Sequence, residues 1–175
     1  MRESVPSSVV KAALRPAFVA ATVTWALLLP LVPFVASRPH ATPIGAALLI
    51  AVYAIGGVIC HQLPERSYHL WTAQMPVCAR CAGIYAGAAV AAILMTGARG
   101  FQPSGVRSPE RLALRTPLLR AVLLAAALPT VATLVYEWAT GHMPAHSIRA
   151  AAGAPLGAAV AWMVLSSMPR RDART

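Results

Sequence analysis

Charge is scarce in this sequence. Only 11% of its 175 residues are Asp, Glu, Lys or Arg, whereas soluble domains carry roughly 25%. There are five acidic residues and a single lysine, so the formal net charge of +10 depends almost entirely on arginine. Together with a hydrophobic content of 58%, this composition excludes an ordinary soluble domain and indicates a membrane protein.

Common catalytic motifs are also absent. The sequence contains no His-Glu-x-x-His, no phosphate-binding glycine-rich loop and no Gly-x-Ser-x-Gly. It lacks the Cys-x-x-Cys-His pattern that attaches haem. Nucleic acid is not the expected partner, because most arginines stand at the ends of apolar runs. There they anchor helices and contact the lipid bilayer and its anionic headgroups.

Five apolar segments are present, each close to the length that crosses the hydrocarbon core of a bilayer. Such segments must be helical, since the backbone has to satisfy its own polar groups in lipid. The expected fold class is therefore all-α, a single membrane domain over residues 1–175 with five transmembrane helices. These helices are predicted at about 17–36, 43–60, 80–95, 118–136 and 148–167. Residues 98–117, which hold four arginines, are expected to form a basic mobile loop.

The distribution of basic residues predicts an orientation. With five crossings, the N-terminus and the loops 61–79 and 137–147 share one face, which carries six basic residues. The opposite face carries nine. The positive-inside rule then places the first face outside the cytoplasm and the C-terminus inside it, in a multi-pass protein of the cell membrane.

The three cysteines and a histidine lie in two short stretches. Cys60-His61 ends the second apolar segment, and Cys78-x-x-Cys81 opens the third. Two residues between thiolates is the spacing of a zinc site and also of a redox dithiol. A tetrahedral zinc set would comprise the three cysteines and His61, or instead a histidine from the loop 137–147. Because three cysteines cannot all pair within one chain, metal binding, redox chemistry and simple burial all remain open.

Charged residues on the same face form a second group of candidates. Arg66, Arg80 and Arg149 present planar donor forks that suit phosphate or carboxylate. Glu137 follows an apolar segment, where an acidic residue usually has a partner or a function. These four residues are expected to line a polar pocket beside the cysteines. The alternative is that each arginine extends its side chain to the headgroup region.

Three functions are consistent with these patterns. The first is a metal site, with zinc as the expected ion, at the edge of the membrane beside the polar pocket. The second is a membrane thiol–disulfide oxidoreductase that uses Cys78 and Cys81. The third is a non-enzymatic scaffold or transport accessory. Two small-xxx-small patterns, Gly83–Gly87 and Gly153–Gly157, also predict close packing between helix backbones.

Two segments resemble the signature of a known family. Cys60-His-Gln-Leu-Pro-Glu-Arg-Ser67 and Pro76-Val-Cys-Ala-Arg-Cys-Ala-Gly-Ile-Tyr85 are similar to the pattern Cys-His-x-x-Pro-x-Arg-Ser and Pro-x-Cys-x-Arg-Cys-x-Gly-(Ile or Leu)-Tyr. That pattern is typical of a prokaryotic family of small integral membrane proteins of unknown function. The resemblance adds Pro64 and Ser67 to the candidate site.

A weaker second resemblance covers residues 129–157. It adds Ser147 to the candidates and includes Glu137 and Arg149. The chain departs from the family at Glu137-Trp, where Asp-Gly is expected, and at residue 82, where Ala replaces the usual Thr. His142 and His146 do not belong to the family pattern, so the resemblance favours His61 as the fourth ligand.

Overall fold

The computed structural model describes residues 7–39, 42–97 and 109–168. Side chains are described from residue 13 in the first range and from residue 117 in the third. The elements are α1 (Ser7–Ala36), α2 (Pro43–Ile59), a short 3-10 turn (Pro64–Arg66), β1 (Ser67–Leu70), β2 (Ala73–Cys78), α3 (Ala79–Gly97), α4 (Pro109–Thr140) and α5 (His146–Ser167). The predicted helical, multi-pass class is confirmed. Within the described ranges, α1, α3, α4 and α5 are long and apolar enough to cross a membrane.

Helices α3 and α5 pack with their backbones in direct contact. A Cβ atom placed on Gly83 would lie 1.9 Å from the carbonyl oxygen of Ala150, and one on Gly157 would lie 1.8 Å from that of Ile84. Both distances are far below any real contact, so these positions accept only glycine. Because residue numbers rise together along the two helices, α3 and α5 are parallel.

Helix α1 runs antiparallel to α3. Near the start of α1, the Arg15 guanidinium donates to the carbonyl of Met95, close to the end of α3. Farther along, the Trp25 and Tyr85 rings meet edge to face at a centroid distance of 6.0 Å. The start of α1 and the end of α3 therefore lie at the same end of the bundle, which we call the far end.

Helix α4 is also antiparallel to α3 and α5. Its Thr133, late in the helix, accepts a hydrogen bond from Arg80 at the start of α3, at 3.2 Å. Thr130 donates to the carbonyl of Ala152 in α5 at 2.8 Å. The C-terminus of α4 and the N-termini of α3 and α5 thus meet at the opposite end of the bundle, which we call the cysteine end.

The prediction that the second helix also crosses the bilayer disagrees with the packing of α2. A Cβ on Gly45, near its start, would meet Val35 at 3.3 Å, and one on Gly56, near its end, would meet the carbonyl of Pro76. Val35 closes α1, and Pro76 precedes α3 by three residues, so both ends of α2 lie at the cysteine end. The chain therefore leaves α2 at the end of the bundle where it entered. This path differs from the alternation of five crossings that the sequence predicted, and it places the start of α1 at the far end.

The predicted basic loop is shorter than expected. Residues 98–108 lie outside the described residues, but α4 already begins at Pro109, nine residues before the predicted start. Leu, Ala and Arg, which dominate residues 111–115, are all good helix formers, and proline fits the first turn of a helix. The helix also continues to Thr140, so Glu137 lies in its last turn and not after it.

Residues 61–79 were expected to form one polar loop, but they contain a β-hairpin. Strands β1 and β2 are antiparallel, with Leu70 paired to Ala73 across a two-residue turn. Both turn residues have positive φ, 49° at Trp71 and 72° at Thr72, as the mirror-image turns of hairpins require. The Trp71 ring packs on Phe34 of α1 at a centroid distance of 5.2 Å. The hairpin is thereby fixed against the C-terminal part of α1.

Candidate functional site

The three cysteines come together at the base of the hairpin. The sulfur atoms of Cys60, Cys78 and Cys81 all lie within 4.8 Å of one another, and none forms a disulfide. Cys60 ends α2 in an extended conformation, Cys78 is the last residue of β2, and Cys81 lies in the first turn of α3. Two sulfurs on a tetrahedral zinc would be about 3.8 Å apart, given Zn–S bonds of about 2.3 Å. The cluster therefore matches the size of a thiolate metal site.

Hydrogen bonds activate one sulfur of this cluster. The Cys81 side chain, which bonds to the Cys78 sulfur, is the main reason why the pKa of the Cys78 thiol falls to about 5, and burial opposes that fall. The backbone N–H of Cys78 donates to the sulfur of Cys60 at 3.2 Å. A thiolate is both the metal-binding and the nucleophilic form of cysteine. Cys78 is consequently poised for either chemistry near neutral pH.

Gln62 fixes the segment that carries Cys60. Its side-chain amide donates to the carbonyls of Tyr53 at 2.9 Å and Pro76 at 2.7 Å, and so ties α2 to β2. The backbone carbonyl of Gln62 accepts a hydrogen bond from the Gln74 side chain at 2.6 Å, and the Tyr53 hydroxyl donates to the backbone carbonyl of Gln74. This network holds the end of α2 against the hairpin, and therefore holds Cys60 beside Cys78.

His61 lies outside the sulfur cluster. It is exposed, and among the described residues the group of candidate ligands within 4.8 Å contains the three cysteines alone. The backbone explains the separation, because Cys60 is extended and neighbouring side chains in extended chain point to opposite sides. His142 is exposed at the end of α4, and the ring of His146 packs on that of Tyr68 at 5.3 Å. Neither of these histidines joins the sulfurs.

The polar residues form a separate cluster on the α4–α5 side of α3. Arg80 donates to Glu137 at 2.9 Å, and nitrogens of Arg66 and Arg149 lie 3.8 Å from its two carboxylate oxygens. Arg149 is 1% exposed and donates to the carbonyl of Arg66 at 2.6 Å and to the Met143 sulfur at 3.4 Å. Three guanidinium groups thus surround one buried carboxylate, and we call this group the arginine cluster.

Three further candidate residues remain to be placed: Pro64, Ser67 and Ser147. Pro64 opens the 3-10 turn and is exposed. Ser67 is fully buried, donates to the carbonyl of Leu63 at 3.0 Å, and pairs with Cys78 in the hairpin register. Ser147 is exposed in the first turn of α5. Of the three, Ser67 has the clearest structural role, because it joins the turn to the strand that carries Cys78.

The fold and the two clusters define a multi-pass helical membrane protein with a thiol-rich centre at one end of its bundle. The chain belongs to DUF2085, a family described as predicted membrane proteins, whose sequence model matches residues 60–163. This confirms the predicted membership of a membrane-protein family of unknown function. The matched range begins at Cys60 and includes both clusters.

One relative is an uncharacterized protein, MJ1492, of Methanocaldococcus jannaschii. It is 39% identical over 64 residues, a stretch that covers 37% of this chain and 41% of the relative. The alignment therefore spans less than half of either protein. No solved structure matches the chain. Neither description names an activity, so function has to be argued from the residues of the site.

Several residues that complete the site were not singled out from the sequence. Tyr53 and Gln74 belong to the network around Gln62, Thr133 bonds to Arg80, and Met143 contacts Arg149. Gln62 lies inside the signature between Cys60 and Ser67, which is the one signal that could have identified it. The others are ordinary residues of apolar helices, of a strand or of a short connection, and only the packing reveals their roles.

Proposed function

We propose that Cys60, Cys78 and Cys81 bind a thiophilic divalent metal, with zinc as the expected ion. The observation that supports this is the approach of three sulfurs from three separate elements to within 4.8 Å. Cysteines that served only as small core residues would need no such convergence. The lowered pKa of Cys78 further supports the proposal, since a metal ligand must be deprotonated.

Three protein ligands leave one position of a tetrahedral ion for an external ligand. Four protein ligands are typical of structural zinc, whereas three ligands and an open position are typical of catalytic zinc. Residues 57–61 line a shallow depression at Cys60, so one side of the cluster borders the surface. The proposed site is therefore a reactive or exchangeable metal centre and not a closed structural one.

Metal analysis of the purified protein tests this proposal. The protein is extracted in detergent under mild reducing conditions, and its metal content is measured by mass spectrometry. We expect about one zinc per chain, and about three alkylatable thiols only after chelation. Cys78→Ser should lose the metal, since only two sulfurs would remain.

His61→Ala is the matched control. His61 is exposed and outside the sulfur cluster, so this variant should keep wild-type zinc content. A loss of zinc in His61→Ala equal to that in Cys78→Ser would favour the four-ligand set with His61. A wild-type protein that contains no metal and carries a Cys78–Cys81 disulfide would overturn the metal proposal.

Thiol–disulfide exchange is the second candidate function. Cys78 directly precedes α3 and Cys81 lies in its first turn, so the pair stands at a helix N-terminus, as in known redox dithiols. The thiolate character of Cys78 makes it the attacking sulfur and Cys81 the resolving one. The disulfide outcome of the experiment above would support this function.

We also propose that the cysteine end lies outside the cytoplasm. With four crossings, the basic residues divide four against eleven, a much larger bias than the nine against six of five crossings. The cysteine end carries Arg38, Arg66, Arg80 and Arg149. The segments that adjoin the far end carry Arg2, Lys11, Arg15, Arg99, Arg107, Arg111, Arg115, Arg120, Arg170, Arg171 and Arg174. The positive-inside rule places that end in the cytoplasm.

Labelling with a membrane-impermeant thiol reagent tests this orientation. In intact cells treated with a chelator, the three cysteines of this protein should react with the reagent, because the reagent reaches the outer side of the membrane. The control is a cysteine-free variant with a single new cysteine at Gly97, which ends α3 and should react only in permeabilised cells. The reverse pattern would place the cysteine end in the cytoplasm.

A further inference from the structure

We infer that the arginine cluster binds a phosphate group, as free phosphate, a phosphate monoester or the phosphate of a lipid headgroup. This site is distinct from the sulfur cluster and does not depend on a metal. Arg80 and Cys81 are neighbours in the first turn of α3, but Arg80 contacts α4 whereas Cys81 packs with the hairpin and α1. The start of α3 therefore separates two sites of different chemistry.

The charge of the cluster supports an anionic ligand. Three arginines surround a single carboxylate, which leaves an excess of two positive charges at a place where Glu137 is 7% and Arg149 1% exposed. Burial of unpaired charge is costly, so buried charges are usually balanced by partners. One arginine would suffice to neutralise Glu137. The other two positive charges would balance the two negative charges of a phosphate dianion.

The cluster also has unused hydrogen-bond donors. The Nε atoms of Arg66, Arg80 and Arg149 are all buried and have no hydrogen-bond partner. Arginine presents its donors as a planar fork, and phosphate oxygens accept two such bonds at once. The Arg66 side chain is 38% exposed, so the cluster reaches the surface there. A phosphate group at this opening would offer acceptors to donors that have no hydrogen-bond partner within the protein.

The start of α5 adds a third contribution on the same side. This helix has 22 residues, and its N-cap, Ala145, offers no side-chain acceptor to the first turn. The N–H groups of a helix N-terminus bind phosphate readily, because the helix dipole also favours negative charge there. Ser147 is exposed in that turn, and the Nε2 atom of His146 is buried without a partner. Arg149 lies in the same turn and joins the helix start to the cluster.

Phosphate binding by the purified protein tests this inference. Inorganic phosphate is titrated against the detergent-solubilised protein, with chloride at equal ionic strength as reference, and the thermal unfolding temperature is followed. We expect phosphate to raise that temperature in the wild type. In Arg66→Gln the phosphate Kd should rise by about tenfold or more, since a charge-assisted bond is lost. The backbone carbonyl of Arg66 that accepts from Arg149 is kept in this variant.

The matched control is Arg38→Gln. Arg38 stacks 4.3 Å over the Phe34 ring at the end of α1 and makes no contact with Glu137, so this variant should bind phosphate as the wild type does. The titration is repeated with Cys78→Ser, which should keep phosphate binding even if it loses metal. That result would show that phosphate binding does not require the metal site.

A lipid experiment distinguishes the two sources of phosphate. Wild type and Arg66→Gln are reconstituted in nanodiscs with phosphatidic acid or phosphatidylcholine, and retained lipid is identified by native mass spectrometry. Selective retention of phosphatidic acid by the wild type, with no response to inorganic phosphate, supports a lipid headgroup as the ligand. A response to inorganic phosphate alone supports a soluble ligand. If neither probe separates wild type from Arg66→Gln, the inference is overturned.

Discussion

The sulfur cluster and the arginine cluster lie on two sides of the same helix start, yet they are built in different ways. The sulfurs come from residues 60–81, a continuous stretch that folds on itself through a hairpin. The arginine cluster combines Arg66 and Arg80 with Glu137 of α4 and Arg149 of α5. The first cluster therefore depends mainly on local structure, and the second depends on the packing of the whole bundle. Substitutions that affect one cluster and not the other can test this difference.

The largest effect is expected from Gly83→Ala, which should disrupt both clusters. The added methyl group would lie 1.9 Å from the Ala150 carbonyl, so α3 and α5 would have to separate. We expect loss of monodisperse protein in size-exclusion chromatography, or a fall in unfolding temperature on the order of 10 °C. Gly97→Ala is the control, because no atom lies within 4 Å of a Cβ there. Equal behaviour of the two variants would contradict the close contact between α3 and α5.

Glu137→Gln should separate the clusters. Removing the carboxylate leaves three guanidinium groups without a counter-ion, and that of Arg149 is fully buried. Loss of one partner from a buried ion pair costs about 3–5 kcal/mol. The unfolding temperature should therefore fall, while the protein that remains folded should keep its metal. Glu65→Gln, at an exposed position, should change neither property. A Glu137→Gln protein that is fully stable but metal-free would show that the sulfur cluster also depends on the bundle.

The sulfur cluster was easier to predict from the sequence than the arginine cluster. The sulfur ligands were predictable because two residues between Cys78 and Cys81 is a chemically restrictive spacing. The separation of His61 from the sulfurs was not, since it depends on the extended backbone at Cys60. The arginine cluster was expected because loops 61–79 and 137–147 fall on the same face of the membrane when five crossings, α2 among them, are counted. Composition reveals that α2 is apolar, but only its contacts with Val35 and Pro76 show where its two ends lie.

Gln62→Leu should weaken the sulfur cluster and spare the arginine cluster. Leucine keeps the approximate size of the side chain but removes the bonds to the Tyr53 and Pro76 carbonyls. Substitution of a residue that orients metal ligands typically lowers metal affinity by about 10–100-fold. The metal Kd of Gln62→Leu should therefore rise by about tenfold. Competition with a chelator of known affinity measures this change. Phosphate binding by Gln62→Leu should match the wild type, and a parallel loss of both would contradict the independence of the clusters.

The smallest effect is a change in pH dependence. In the metal-free protein, the alkylation rate of Cys78 should be nearly constant above about pH 6, because its pKa of about 5 keeps the thiolate form predominant. An ordinary thiol would react about tenfold faster for each pH unit up to about pH 8. Cys81→Ala removes the main hydrogen bond to Cys78 and should restore that steep dependence. Peptide mass spectrometry gives the rate at Cys78, and equal profiles in the two proteins would contradict the role of Cys81.

The glycine contacts of α3 have a thermodynamic consequence for the two clusters. The Arg80 carbonyl lies 2.3 Å from where a Cβ on Gly153 would be, so the first turn of α3 is in direct backbone contact with α5. Arg80 and Cys81 are neighbours in that turn, so each cluster has one residue in it. This turn is one connection through which ligands of the two clusters can be coupled, and linkage requires any such free-energy coupling to be reciprocal. If metal raises the affinity for phosphate, phosphate must raise the affinity for metal by the same factor.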